Sequence, residues 1–200
     1  MGAPVKKSTR NSRRPRRGRS ASPSASPVRS YAEYTKRLAA GAKTIVIDAD
    51  PEKWLDLGHV PSQVEVKIVG QTCARIAGGS IAAAGRCFVQ ASNHARVTAY
   101  EHAHIEAFDD STVDARGKSH IVGTDNARIR AEDSAIVFAH SHCHVQANGQ
   151  ALIAATDTTT VRIDGESHVR VSPGVRIIGP GQPAKIETHP ISRLARHLNF

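Results

Sequence analysis

Aromatic side chains are scarce in these 200 residues: one Trp, three Tyr and four Phe. Large globular cores lean on such rings, because each removes a wide apolar area from water. A chain with so few must bury surface by other means. Cysteine is scarce too. Cys73, Cys87 and Cys143 show no CxxC spacing, so neither a zinc module nor a disulfide framework is indicated, and small buried hydrophobes are the expected role. No apolar run approaches the length of a membrane span, and no signal-peptide segment follows the basic start. The expected location is the cytoplasm or a particle assembled inside the cell. Nucleophile elbow, phosphate loop and HExxH sequences are all missing. No reaction and no cofactor is implied, and a non-enzyme is expected.

What the sequence does have is a period. From Cys73 to Ile177 an apolar residue recurs every eighth position, as at Val89, Val97, Ile105, Val113, Ile121 and Ile129. Two residues later comes a small one (Ala91, Ala99, Ala107, Ala115, Gly123), and six later another (Ala95, Ala103, Ser111, Ser119, Ala127). Eight is even, so all these residues keep one parity and share one side of an extended strand. A helix would turn an eight-residue period off its own face by about 80° per repeat, at roughly 100° per residue. All three cysteines fall on the inward parity. The fourth residue after each branched one is a turn former, as at Asn93, Asp109, Gly117, Asp125 and Gly149, suited to left-handed backbone or Asx turns.

The unit is therefore strand, tight corner, strand, and the expected fold is an all-β parallel solenoid, stacked so that each coil covers the apolar row of the next. Asn93, Asp109, Asp125 and Asp157 fall on one sixteen-residue phase, which favours two octads per coil over a triangle of three. Six or seven coils are expected. The small inner residues imply a thin, flattened cross-section.

Four regions are expected: a disordered basic arm over 1–29, an N-terminal cap over 30–71, the solenoid over 72–181, and a C-terminal capping helix within 182–200. In the cap, Ser30 and Glu33 read as a capping box opening a helix that Gly41 closes, with Tyr31, Tyr34 and Leu38 on one face. Residues 43–48 and 64–69 read as strands, and Pro51 as the start of a short helix bearing Trp54 and Leu55. Pro190 can start the last helix, with Ile191, Leu194 and Leu198 on one stripe.

Charge is lopsided. Residues 1–38 hold eleven Lys or Arg against one Glu, whereas residues 39–200 hold sixteen against seventeen acids. The arm's bases are Lys6, Lys7, Arg10, Arg13, Arg14, Arg16, Arg17, Arg19 and Arg29. Such a segment cannot bury enough surface to fold alone. Its guanidinium forks suit phosphate, and it gains affinity for nucleic acid or another polyanion by counterion release. A solubilising tail and a transit-like targeting segment are the competing readings. No aromatics interleave the arginines, so base reading is not indicated.

His140, His142 and His144 alternate, which on one strand would turn three imidazoles outward together and could chelate a divalent metal. With 24 residues per coil, His120, His144 and His168 would also stack. The competing reading is plain surface histidine. Asp109, Asp110, Asp114, Asp125 and Asp133 invite a calcium reading, but the Gly-Gly-x-Gly-x-Asp pattern of calcium β-rolls is absent, and corner formation accounts for them better.

The octad, as in ARVTAYEHAHIEAFDDSTVDARGKSHI, resembles the short-period Ala/Val β-solenoids of high-GC bacteria and their phages, and is distantly similar to bactofilin-type polymer-forming solenoids. The resemblance implies a structural or interaction role and carries over no catalytic residue. Three readings follow: a scaffold with a polycationic arm, oligomeric or within a larger assembly such as a phage or virion; a sequence-independent nucleic-acid binder for which the rod is only a mount; and a metal-dependent binder or enzyme using the rod's flank.

Overall fold

Strands of four residues separated by four-residue corners leave two inward side chains per strand and one per corner, which can be covered only by the coil above and the coil below. The computed structural model, which describes residues 26–180 and 185–188, is built this way. One helix, α1 (Tyr31–Ala39), precedes eighteen strands. The first four are β1 (Thr44–Ile47), β2 (Leu55–His59), β3 (Glu65–Ile68) and β4 (Cys73–Gly78). Then follow β5 (Ser80–Ala83), β6 (Phe88–Ala91), β7 (Arg96–Ala99), β8 (His104–Ala107), β9 (Thr112–Ala115), β10 (His120–Gly123) and β11 (Arg128–Ala131). The last are β12 (Ile136–Ala139), β13 (His144–Ala147), β14 (Leu152–Ala155), β15 (Thr160–Ile163), β16 (His168–Val171), β17 (Arg176–Ile178) and β18 (Lys185–Thr188). Odd-numbered strands form one nine-stranded parallel sheet and even-numbered strands the other. The fold is a parallel β-solenoid of two flat sheets, the odd and the even.

The register gives the coil length directly. Val97 pairs with Val113 and Ile121 with Val137, sixteen residues apart, and this offset holds from β5 through to β17. Inward Val and Ile alternate with inward Ala, and the corner residues Cys87, Ala95, Ala103, Ala127, Ala135 and Cys143 close the interior; all are buried. A fully buried Val or Ile stabilises by about 1.5–3 kcal/mol, and the repeat supplies two such residues per coil. At Gly123, where its neighbours carry Ala, a Cβ would lie 2.5 Å from Ile129 Cδ1 and 3.3 Å from Cys143 Sγ, so Ala there would require Ile129 to shift. Two inner hydroxyls, Ser111 Oγ and Ser119 Oγ, are buried with no hydrogen-bond partner.

The corners are left-handed. Asn93, Glu101, Asp109, Asp125, Asp133, Ser141 and Asp157 have φ between 53° and 59°, a region that costs an ordinary L-residue roughly 1–2 kcal/mol. Each acid offsets part of this across coils. Asp109 Oδ2 accepts from Asn93 N–H at 2.9 Å, Asp133 Oδ2 from Gly117 N–H at 3.0 Å, Asp157 Oδ2 from Ser141 N–H at 3.0 Å and Glu101 Oε2 from Gly85 N–H at 2.9 Å. The corner acids form the expected turns and also tie each coil to the one before it.

Several expectations are corrected at the N-terminal end. The segment over 51–59 is not a short helix: Leu55 and Leu57 are two apart, both buried, and they pair as β2 with β4. Sheet pairing at period two overrides the helix-start signal of Pro51. Accordingly, β1, β2 and β3 are rungs of the sheets rather than a separate cap, and each sheet has nine strands instead of six or seven. These first coils are irregular, with Thr44 opposite Glu65 and Leu55 opposite Ala74.

Cys73 does not point inward. Ala74 and Ile76 do, and Cys73 is half-buried. The parity changes at Gly78–Gly79, where Gly79 has φ 82° and a Cβ would meet the Val60 carbonyl oxygen. β4 is thereby offset by fifteen residues from β6, with Ala74 opposite Val89.

The arm is also shorter than expected. Val28 is 2% exposed and bridges Ile47; its N–H donates to Val46 O at 2.8 Å, and its carbonyl accepts from Asp48 N–H at 3.0 Å. Residues 26–29 thus extend the first edge of the odd sheet. The helix behaves as expected at its ends: Ser30 Oγ accepts from Glu33 N–H, Glu33 Oε2 accepts from Arg29 N–H at 2.8 Å, and Gly41 has φ 72°. Tyr34 is buried and Leu38 packs on the core, but Tyr31 is 52% exposed and leaves the stripe. At the other end, β18 lies inside the region assigned to a capping helix; the expected helix from Pro190 lies outside the described residues.

Candidate interaction surfaces of the rod

Because inward positions alternate with outward ones, each sheet presents two outward columns whose neighbours lie one coil apart. On the odd sheet one column runs Arg96, Thr112, Arg128, His144, Thr160, Arg176, and the other Thr98, Asp114, Arg130, Gln146, Arg162. This face is polar and basic. Arg130 pairs with Glu132 at 2.9 Å, Arg116 with Glu132 at 3.3 Å and Arg162 with Asp164 at 3.0 Å. Arg162 and a hydrogen bond from Gln146 hold the Asp164 carboxyl below its usual range. Arg96, Arg128 and Arg176 have no ion pair among the described residues.

The even sheet differs. One column runs Phe88, His104, His120, Ile136, Leu152, His168, and the other Gln90, Glu106, Val122, Phe138, Ala154, Arg170. Trp54 meets Phe88 edge-on at 5.4 Å, Phe88 stacks on His104 at 4.7 Å, and His104 on His120 at 6.3 Å. Arg75 lies over the Trp54 ring at 4.6 Å. Burial lowers the pKa of His104, favouring the neutral ring. Beyond the aromatic stack comes a shallow apolar groove over Ile136, Phe138, Leu152 and Ala154, bounded by His168 and the Arg170–Glu187 ion pair. Leu152 is 45% exposed. Trp54, expected in a cap, belongs to this outer face.

The three histidines do not share a strand. His140 follows β12 of the even sheet, His144 opens β13 of the odd sheet, and the left-handed corner at Ser141 stands between them. The alternation that suggested one strand is interrupted by the change of sheet. His140 Nδ1 lies 2.9 Å from Thr156 Oγ1. Nor do His120, His144 and His168 stack, since His144 is on the opposite sheet. Among the described residues, no group of three His, Cys, Asp or Glu is placed to hold a metal ion. Cys87 and Cys143 are buried, which pushes their thiols up to about 11.

Of the arm's bases, Lys6, Lys7, Arg10, Arg13, Arg14, Arg16, Arg17 and Arg19 lie outside the described residues. Arg29 is exposed beside the helix start, with its backbone fixed by Glu33. No helix among the described residues is long and apolar enough to cross a membrane.

No family model matches this sequence, and neither a curated protein nor a solved structure matches it. Sequence reasoning located the inner columns but missed both outer surfaces. Each outer column is a series at spacing sixteen on the opposite parity. A search at that spacing would have found Val122, Phe138 and Ala154 side by side.

Proposed function

We propose that this chain is a non-enzymatic scaffold: a rigid β-solenoid that holds a polycationic segment against nucleic acid or another polyanion, in the cytoplasm or in a particle assembled inside the cell. The observation that carries this reading is the anchoring of Val28. The bases from Lys6 to Arg19 lie nine to twenty-two residues upstream of a buried side chain, Val28, that is hydrogen-bonded on both backbone sides to the first rung. A cationic segment fixed at one end of a regular stack delivers charge at a defined place without needing a catalytic pocket. The sixteen-residue coil contributes stiffness and two flat contact faces.

The test compares the full chain with a variant lacking residues 1–25, which keeps Val28 and the rung it completes. Both are titrated against random duplex DNA and single-stranded RNA at two salt concentrations. Full-length binding is expected to be insensitive to sequence and to fall steeply with salt, by a log–log slope of roughly 0.9 per phosphate neutralised on duplex. The shortened chain should lose most of that affinity. Absence of binding by the full chain overturns the polyanion assignment.

A second reading is favoured by one observation, the recurrence of Arg96, Arg128 and Arg176 along a single outward column without ion pairs. These would place positive charge every second or third rung of the odd face. In that case the shortened chain keeps its affinity, and Arg96→Glu with Arg128→Glu and Arg176→Glu removes it.

A further inference from the structure

The outer face of the even sheet has a property that an ordinary polar surface lacks: its pattern is complementary to itself when reversed. We propose that a second copy of this chain packs on it, face to face and with the rods antiparallel, about a two-fold axis lying along β12. Such an axis keeps each column on its own counterpart and reverses the order of the rungs. Because the pairings from β8 to β16 all step by sixteen residues, the rungs on either side of β12 come into register. Ile136 and Phe138 then meet their own copies, and Val122 meets Ala154. Glu106, two rungs before β12, meets Arg170, two rungs after it.

Charge complementarity selects this partner and this direction. The apolar centre is flanked on one side by Glu106 and on the other by Arg170, which also holds Glu187, so an antiparallel copy brings Glu106 to the Arg170 guanidinium twice. A parallel copy would cross the columns and set Arg170 against His168. It would also bring two polycationic N-terminal segments to one end, whereas the antiparallel pair carries them at opposite ends. Within one copy Arg170 already holds Glu187, with Nη2 2.7 Å from Oε2, and Gln90 donates to Glu106 Oε2 at 2.8 Å. Both charged groups are thus held in position by a neighbour on their own face.

Strand geometry sets the strength. Five rungs about 4.8 Å apart, with strands about 13 Å long, give a footprint on the order of 300 Å² per copy. That is below the size of a standard specific interface, so a weak, readily reversible dimer is expected. The inference names the partner for one face of the scaffold proposed above. Association is measured without polyanion, so either result can fail while the other stands.

The experiment is analytical ultracentrifugation of the full, nucleic-acid-free chain over a wide concentration range. The expected result is a concentration-dependent monomer–dimer equilibrium. Glu106→Arg alone and Arg170→Glu alone should each weaken it by about tenfold or more, because each reversal creates two like-charge contacts. The two together should recover most of the loss, and Phe138→Asp should leave a monomer. Unchanged circular dichroism and thermal midpoint in each variant separate lost association from lost folding. A chain that is monomeric throughout, or a dimer indifferent to these substitutions, overturns the proposal. So does a dimer that appears only after removal of residues 189–200, since that places the chain's own segment on the face.

Discussion

The two sheets share one interior and differ outside. Val97 and Ala99 on the odd sheet fill the places that Ile105 and Ala107 fill on the even sheet, and all four are buried. One residue away, Arg96 and Thr98 face outward on the odd side, while His104 and Glu106 do so on the even side beside Phe88. Packing therefore constrains alternate residues to a few small apolar types, because a thin core tolerates little change in volume. The intervening residues are free of that constraint, and there the faces diverge into a basic surface and an aromatic–apolar one. The outward parity carries the contact chemistry, and the inward parity the folding.

The largest expected effect comes from exchanging the two parities. Val113→Asp puts an uncompensated charge into the filled row, costs several kcal/mol and should abolish the β-type circular dichroism signal. Thr112→Asp, one residue away and set between Arg96 and Arg128 in its column, should leave the melting temperature nearly unchanged. A folded Val113→Asp chain would break the distinction between inside and outside.

Thiol chemistry sharpens the same boundary. Cys73 is half-buried, whereas Cys87 and Cys143 are buried and have thiols pushed up to about 11. Native protein at pH 8 should release one equivalent of chromophore from a disulfide reagent, and denatured protein three. Equal reactivity of all three in the native state would contradict the parity change at Gly78–Gly79.

A smaller effect, with the opposite sign from most core substitutions, is expected inside. Ser111 and Ser119 sit at opposite corners among mostly Ala and Cys, and their hydroxyls are buried without partners. Replacing either by Ala removes a desolvated polar group and should raise stability by up to about 1 kcal/mol in denaturant unfolding.

The smallest effect concerns the corners. The Ser141 N–H, and secondarily the Thr156 hydroxyl, hold the Asp157 carboxyl below its ordinary range. A depressed folded-state pKa adds stability that is present above the unfolded value and lost as pH falls through the folded one. The gap between the native chain and Asp157→Asn should be greatest near neutrality and close in acid. It should stay under about 1 kcal/mol, since the carboxylate is exposed.

The octad made the inner columns, the sixteen-residue coil and the corner residues legible, because each follows from parity and turn chemistry within a short window. The first coils were not legible. Their offsets follow loops of unequal length, so Leu55 and Gly58 find Ala74 and Ile76 by tertiary pairing rather than by rhythm. Val28 was hidden in a basic, Pro- and Ser-rich stretch whose composition argues for disorder. The outer faces are not legible in a short window because contacts such as Phe88 on His104 join residues sixteen apart, and the His140–His144 alternation spans a corner rather than one strand.

The sixteen-residue coil made of two eight-residue halves has a consequence for how such a chain can change length. Duplicating sixteen residues at a corner lengthens the rod by one rung and leaves every downstream residue on its own sheet. Duplicating eight also keeps each inward residue inward, so the interior tolerates it, yet everything beyond the insertion trades sides. Each outer face before the insertion would then be continued by the opposite face after it. Such a rod can thus lengthen in two ways: a half-step that rearranges its outer faces while preserving the fold, and a full step that preserves both.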